Sequence, residues 1–233
     1  MPRDVGVVIV AAGQGTRLGG DTPKQFRPIA GVPMLLRSLR PFTSHPDVAE
    51  TVVVLPPELS ATPPAWLADL RSPALKLVGG GAARTESAMA GVAALGPGCA
   101  LILVHDGARP FVDRATIDAV IARARAGSGA VPAVAVGDTL KQAAPPVSGG
   151  QIERTVPREG LYRAQTPQGF PRPLLERAYA QARSQGSWAT DDAALVEAIG
   201  GKVSIVPGSQ RNLKVTTPQD LEMAEWLAGV TAS

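Results

Sequence analysis

The sequence predicts an α/β fold, a doubly wound and mostly parallel sheet. Three observations carry that expectation. Short runs rich in Val and Ile, such as residues 5–11, lack strict alternation and read as strands covered on both faces. Segments with helical spacing alternate with them along the chain. Glycine clusters follow the first and third strands, where an open parallel sheet gathers its ligands.

The loop after the first strand carries Gly13, Gly15, Gly19 and Gly20, with Arg17 inside the turn and Lys24 after Pro23. Glycine leaves backbone N–H groups unshielded, so such a loop can fold around phosphate oxygens. No carboxylate stands before Asp21, and the combination suits a polyphosphate. A Walker A loop needs Gly-Lys-Ser/Thr at its end, which is missing. A dinucleotide fingerprint needs a third Gly where Leu18 stands and an acid near the end of the next strand. That strand instead runs into Pro56-Pro57, with no acid until Glu58. A flexible surface loop with scattered cations is the remaining alternative. The run Ala11-Ala12-Gly13-Gln14-Gly15-Thr16-Arg17-Leu18, followed by Pro23-Lys24-Gln25, resembles the signature of sugar-phosphate nucleotidyltransferases.

Composition narrows the function classes. The 233 residues can form one large α/β domain or two small ones, and 45% hydrophobic residues are ample for a core. No apolar stretch is long enough to span a bilayer, and Met1-Pro2-Arg3-Asp4 leaves no room for a signal peptide. The single Cys99 rules out an intramolecular disulfide framework and fits a reducing, cytoplasmic setting; beside a buried strand it reads as a small core residue. A net charge of +3 is too balanced for a nucleic-acid surface, and 4% aromatic residues offer few stacking platforms. The mild positive excess suits a small anionic substrate.

The remaining elements come in order along the chain. Pro33 sits at the start of a helix over 34–42, and 51–55 is a second strand. A Pro-rich stretch with a short helix near Trp66 leads to a third strand at 75–78. It runs into Gly79-Gly80-Gly81, then Arg84 and Ser87 on a helix reaching Leu95. Strand, glycines and helix start can make an anion or nucleobase site, or merely a connection. A fourth strand, 100–104, ends in His105-Asp106-Gly107-Ala108-Arg109-Pro110, which puts Asp106 and Arg109 at a carboxyl edge. His105 reads as a packed residue rather than a base. Asp113 caps a helix over 114–126, and 130–136 is a fifth strand.

From about 137 to 160 two short extended pieces around a Pro/Gly/Ser stretch read as a β-arm, or as a surface hairpin without function. Tyr162 returns to the sheet, and a helix covers 171–185. Asp191 and Asp192 head another helix, with capping as their default role and metal binding the alternative. A strand at 202–206 comes next. Lys214 stands just before a last helix at 219–228, aimed into a cleft or solvated on an edge. The whole chain, 1–233, reads as one domain carrying an arm.

Taken together, the two glycine clusters, Pro23-Lys24-Gln25, His105 to Pro110, Asp138-Thr139, Thr155 to Arg158, Thr166-Pro167-Gln168, Thr190 to Asp192 and Asn212 to Thr216 resemble the 2-C-methyl-D-erythritol 4-phosphate cytidylyltransferase family. The resemblance extends from Val5 to about Leu227 and implies a Rossmann-like nucleotidyltransferase fold in its single-function form. It implies that Arg17 and Lys24 stabilise the transition state at the α-phosphate of CTP. It implies a nucleotide site at Ala11, Ala12, Gly13, Gly15, Gly81 and Ser87, reached largely through backbone groups. It implies an alcohol-phosphate site at Asp106, Arg109, Thr139, Arg158, Thr166 and Lys214, with Arg158 and Lys214 positioning the attacking phosphate. It also implies a homodimer in which the arm embraces a second subunit, so that Thr139, Arg109 and Arg158 serve the neighbour's site.

Physical chemistry is consistent with that implication. No side chain near the cations is a compelling general base, which a hydroxyl nucleophile would want. A phosphate monoester needs none, because its second pKa is about 6. Its difficulty is the approach of a dianion to a triphosphate, which fixed cations and Mg²⁺ relieve. Mg²⁺ is expected mainly on the triphosphate and waters, with Asp106 nearby. Two other readings stay open, a ribitol 5-phosphate cytidylyltransferase and a nucleotide-binding regulator without catalysis.

Overall fold

A computed structural model describes residues 2–13, 18, 22–144 and 150–231 of the chain. Its first half contains β1 (Val5–Val10), a 3-10 turn (Lys24–Phe26), the ribbon β2 (Pro28–Ile29) and β3 (Val32–Pro33), and α1 (Met34–Thr43). Then come β4 (Val48–Leu55), α2 (Pro57–Ala61), α3 (Ala65–Ala68), β5 (Leu75–Gly79), α4 (Arg84–Ala93) and β6 (Leu101–Asp106). The second half has α5 (Arg114–Arg125), β7 (Gly129–Ala135), β8 (Leu140–Ala143), β9 (Ile152–Val156), β10 (Tyr162–Ala164) and β11 (Gln168–Pro171). It closes with α6 (Arg172–Gln185), α7 (Asp192–Ala198), β12 (Val203–Pro207) and α8 (Pro218–Thr231).

The main sheet runs β10-β7-β11-β6-β1-β4-β5, with β12 on β7. The pairs β1–β4, β1–β6, β4–β5 and β12–β7 are parallel. Alternate residues of β1 serve opposite faces, as a pleated strand dictates. Val5, Val7 and Ile9 pack with Leu35, Leu39 and Phe42 of α1 and Ile117, Val120 and Ile121 of α5. Val8 faces the other way, toward Ala88 and Val92 of α4, Leu175 and Ala178 of α6, and Leu195 and Val196 of α7. Helices therefore cover both faces, as the Val/Ile runs predict. A third cluster seats α8 through Ala224 and Ala228 against Leu18, Ile29, Met34 and Val215.

One strand of the main sheet, β11, has no counterpart in the sequence reading, while β10 is the return of Tyr162 to the sheet. β11 enters antiparallel between β6 and β7, and β10 pairs antiparallel with β7. Neither shows an apolar run. Gly169 of β11 lies where a Cβ would stand 2.4 Å from Val120 Cγ1, so α5 can pack on that strand only because the residue is glycine. β8 and β9 pair with each other as a separate ribbon, apart from the main sheet, with Lys141 Nζ donating to Thr155 Oγ1 at 2.7 Å. No helix among the described residues is long and apolar enough to cross a membrane.

Candidate active site

Three parallel strands end side by side. Val10 of β1 stands level with Val54 of β4 and Asp106 of β6. At that edge Ala11 N–H donates to Val54 O at 2.8 Å, Gly80 N–H to Leu55 O at 2.7 Å and Gly107 N–H to Val10 O at 2.9 Å. These bonds hold the strand exits close together, and a cleft of about 300 Å³ opens above them. It is lined by Ala11, Ala12 and Gly13 after β1, by Lys24, by Gly81, Arg84 and Ser87, and by Asp106 and Lys214. The position matches the rule that open α/β sheets bind ligands beyond the carboxyl ends of their strands.

On the glycine side, Gly80 is required by close approach. A Cβ there would lie 2.5 Å from Ala12 Cβ and 2.7 Å from Ser87 Oγ. The buried Ser87 hydroxyl accepts from Gly81 N–H at 3.2 Å and donates to Ala83 O at 3.1 Å, which fixes the turn leading into α4. Glu86 accepts from Ala83 N–H at 2.9 Å, one half of a capping box that Ala83, without an acceptor, cannot complete. Lys24 opens the 3-10 turn after Pro23 and lines the cleft. Arg17 and Gly15 lie outside the described residues.

On the opposite side Asp106 is the hub of a charge network. Its Oδ1 receives Arg84 Nε at 3.2 Å, and its Oδ2 receives Lys214 Nζ at 2.8 Å with Arg109 Nε at 3.7 Å. Burial pushes the Asp106 carboxyl up, but Arg84, Lys214 and Arg109 together outweigh it and hold the group well below the usual carboxylate range. Burial pulls the Arg84 guanidinium down, and Asp192 with Asp106 more than reverses that. For Arg109 burial wins over Asp106, and the net direction is downward. Lys214 owes its aim to its neighbours in sequence. Asn212 Nδ2 donates to Thr166 O at 2.9 Å and Val215 N–H to Ala108 O at 2.8 Å, which pins the backbone on both sides. Of its two open readings, the cleft-facing one is what the structure shows.

Beneath Asp106 lies a neutral histidine. His105 is fully buried; Nε2–H donates to Arg109 O at 3.1 Å, so Nδ1 accepts from the Thr166 hydroxyl at 3.1 Å. Thr166 Oγ1 in turn accepts from Asp106 N–H at 3.0 Å. Burial lowers the imidazole to about 4, against partial support from Asp106. His105 is thus the packed residue the sequence suggests, with no access to the cleft. Thr166 is 4% exposed, and its hydroxyl bonds both His105 Nδ1 and Asp106 N–H, so it braces Asp106 from below.

The other expected residues divide. Ala11, Ala12, Gly13, Gly81, Ser87, Lys24, Asp106 and Lys214 meet in one cleft. Arg109 stands beside Asp106, with Nη1 donating to Asn212 O at 2.8 Å. Thr139 and Arg158 lie apart, exposed at the base of the ribbon, where Arg158 donates to Gly137 O. Among the capping acids, Asp191 accepts from Ala194 N–H at 3.0 Å and does cap α7. Asp192 does not. It is fully buried, accepting from Arg84 Nη1 at 2.9 Å and from the Tyr179 hydroxyl at 2.7 Å. Sequence reasoning missed that role because Arg84 is 108 positions away; adjacent acids, one more than a cap needs, were the available signal. A metal role has no support from this donor set. Both oxygens of each carboxylate are occupied, and no group of three or more His, Cys, Asp or Glu side chains converges among the described residues.

A family model described as 2-C-methyl-D-erythritol 4-phosphate cytidylyltransferase (IspD) matches residues 5–229. A cytidylyltransferase of that description from Salinibacter ruber is 42% identical over 222 residues, covering 95% of this chain and 91% of the relative. A bifunctional IspD/IspF enzyme from Rhodospirillum rubrum is 47% identical over 228 residues, and this chain spans only 56% of its length. The crystal structure of the cytidylyltransferase from Thermus thermophilus superposes with a TM-score of 0.81 at 39% identity, covering 97% of this chain and 99% of that one.

Proposed function

The chain belongs to the 2-C-methyl-D-erythritol 4-phosphate cytidylyltransferase family, and from that premise we propose that it transfers the cytidylyl group of CTP to 2-C-methyl-D-erythritol 4-phosphate. The products are 4-diphosphocytidyl-2-C-methyl-D-erythritol, an isoprenoid precursor, and pyrophosphate. One observation carries the reading. Lys24 and the glycine-side backbone line the same cleft as Lys214, which is held against Asp106. Cations therefore bracket a space where two phosphate groups can meet.

The steps balance without a protein base. An oxygen of the acceptor phosphate forms a bond to the α-phosphorus of CTP while the bond from that phosphorus to the α–β bridging oxygen breaks. Pyrophosphate carries the electron pair away. The acceptor, with a second pKa of about 6, is already largely a dianion near neutrality. Lys214 neutralises it and holds it in line; Lys24, with Arg17, balances charge on the α-phosphoryl oxygens. Gly81 and Ser87 present fixed groups for the base. Mg²⁺ completes the proposal, carried on the triphosphate and water, where it offsets phosphate charge. The chain's acids suit that arrangement, since Asp106 is already shared among three cations.

The proposal includes a homodimer through the 137–160 arm. Ile152 at 62% exposure and Tyr162 at 49% support it, since apolar side chains standing on and beside a ribbon favour a covering surface. Thr139 and Arg158 then complete a neighbour's acceptor site. A cytoplasmic setting fits a chain whose substrates are anionic phosphates and whose one cysteine is a buried thiol. Pyrophosphate release with CTP and Mg²⁺, offering methylerythritol phosphate and ribitol 5-phosphate separately, tests the reading. Turnover with the first alone is expected. Turnover with ribitol 5-phosphate moves the protein to polyol-phosphate activation, and CTP binding without turnover makes it a regulator.

A further inference from the structure

Resting on that functional reading, we infer that Asp192, outside the cleft, is a positioning residue for Lys214, acting by dividing Arg84 between two carboxylates. The geometry is specific. Arg84 gives Nη1 to Asp192 Oδ2 at 2.9 Å and Nε to Asp106 Oδ1 at 3.2 Å. Its remaining nitrogen, Nη2, is buried and has no hydrogen-bond partner among the described residues. A guanidinium tends to grip one carboxylate through two parallel bonds. Here the second bond to Asp106 would go to Oδ2, the oxygen that Lys214 Nζ holds at 2.8 Å. The pull of Asp192 on Nη1 keeps Arg84 from closing that fork. Lys214 keeps its anchor as a result.

Helix capping does not account for the Asp192 carboxylate, because Asp191 performs it. A charge with no solvent exposure is costly unless partners justify it, and here they come from two elements, with a third holding the backbone. Arg84 approaches from α4 and Tyr179 from α6, while Gln168 of β11 accepts the Asp192 and Ala193 N–H groups at 3.1 and 2.9 Å. The carboxylate is therefore fixed in place before any ligand arrives. Removing it frees Arg84 to take both oxygens of Asp106 and displaces the Lys214 ammonium from its line toward the acceptor phosphate. A displacement on the scale of one ångström is enough to matter for in-line transfer.

Steady-state kinetics on Asp192→Asn test this, with both substrates varied. The expected result is a KM for methylerythritol phosphate raised about tenfold or more, with the KM for CTP within about twofold of wild type. A merely structural lesion lowers the amount of active enzyme and leaves both KM values alone; that outcome overturns the inference. Tyr179→Phe supplies the control, since it damages the same buried spot and keeps the carboxylate. It is expected to lower Tm with unchanged KM values, and an equal rise in acceptor KM there would overturn the assignment. If Asp192→Asn does not fold, Arg84→Lys carries the test. A lysine keeps the charge but cannot close the fork on Asp106, so KM values for both substrates near wild type are expected, and a one-sided rise in acceptor KM overturns the inference. Wild-type protein that binds CTP but turns over neither acceptor defeats the functional reading itself, and this inference with it.

Discussion

The charge centre at Asp106 and the ribbon bearing Thr139 and Arg158 use similar residues in opposite ways. Arg84 and Arg109 are locked among buried partners, and Arg109, just past β6, donates to Asn212 O and Ala164 O in two other segments. Their rotamer freedom is lost on folding, so the centre meets its ligand already arranged. Arg158 stands exposed with one backbone carbonyl as its contact, and the ribbon is held by pairs such as Arg154 with Gln142 at 2.9 Å. The contrast teaches that the charge centre at Asp106 is arranged within one chain. In the proposed homodimer, Thr139 and Arg158 are the part of the acceptor site that a neighbour completes.

The strongest challenge to that contrast is Lys24→Ala. It is expected to lower kcat by about 10²–10³-fold with little change in Tm, the size of effect seen when one charge-stabilising donor is lost. Full turnover by the variant would show that the preorganised half lacks its supposed transition-state cation.

A pH titration of stability probes the centre next. The His105 imidazole sits near 4 in the folded protein against an ordinary 6.5. Above pH 6.5 it is neutral folded or unfolded and contributes no pH dependence. As pH falls from 6.5 toward 4, the unfolded chain takes up the proton first and stability drops, by on the order of 3 kcal/mol at the end of the window. Asp106, whose carboxyl is depressed, adds a loss of the same sign below the ordinary carboxylate range. Thermal unfolding of wild type and His105→Gln between pH 7 and 4 should give a shallower decline in the variant. Equal slopes refute the role given to this histidine.

Gly80→Ala should cost roughly 1–3 kcal/mol of stability from overpacking against Ala12 and Ser87, and should weaken CTP binding as the two loops spread. Differential scanning calorimetry and a CTP titration read both effects. Arg158→Ala is expected to change stability least, within about 0.5 kcal/mol, as exposed sites usually do. Its acceptor KM should nevertheless rise about tenfold, as for a lost charged phosphate contact. Mixing Arg158→Ala with Lys24→Ala sharpens the comparison. If the ribbon serves a neighbour, mixed dimers combine one intact nucleotide half with one intact arm, and activity returns. No recovery places Arg158 in its own chain's site.

Legibility tracked sequence distance. The start of the β1 loop at Ala11 to Gly13, the Gly79–Gly81 turn and the edge at Asp106 could be read because each joins a strand to its next few residues. Helix starts at Pro33 and Asp113 were readable for the same reason, with Asp113 accepting Thr116 N–H at 2.7 Å. β11 was not. Its four residues, Gln168-Gly169-Phe170-Pro171, have no strand signature, and their conformation comes from β6, β7 and α5 around them. Thr166 entered the acceptor site through the family resemblance; that its hydroxyl bonds His105 and Asp106 N–H is decided only by the placement of those residues against it.

The amino-acid sequence by itself determined the layered α/β architecture, the glycine exits and the residue types gathered at the sheet's carboxyl edge, since these depend on periodicity and local backbone freedom. The tertiary structure alone decided which charges pair. Arg84 meets Asp192 across 108 positions, Lys214 meets Asp106 across as many, and Arg109 meets Asn212 across 103. Coulomb and hydrogen-bond energies fall off within a few ångströms, so they respond to distance in space, and in this chain that distance is set by which strands lie side by side.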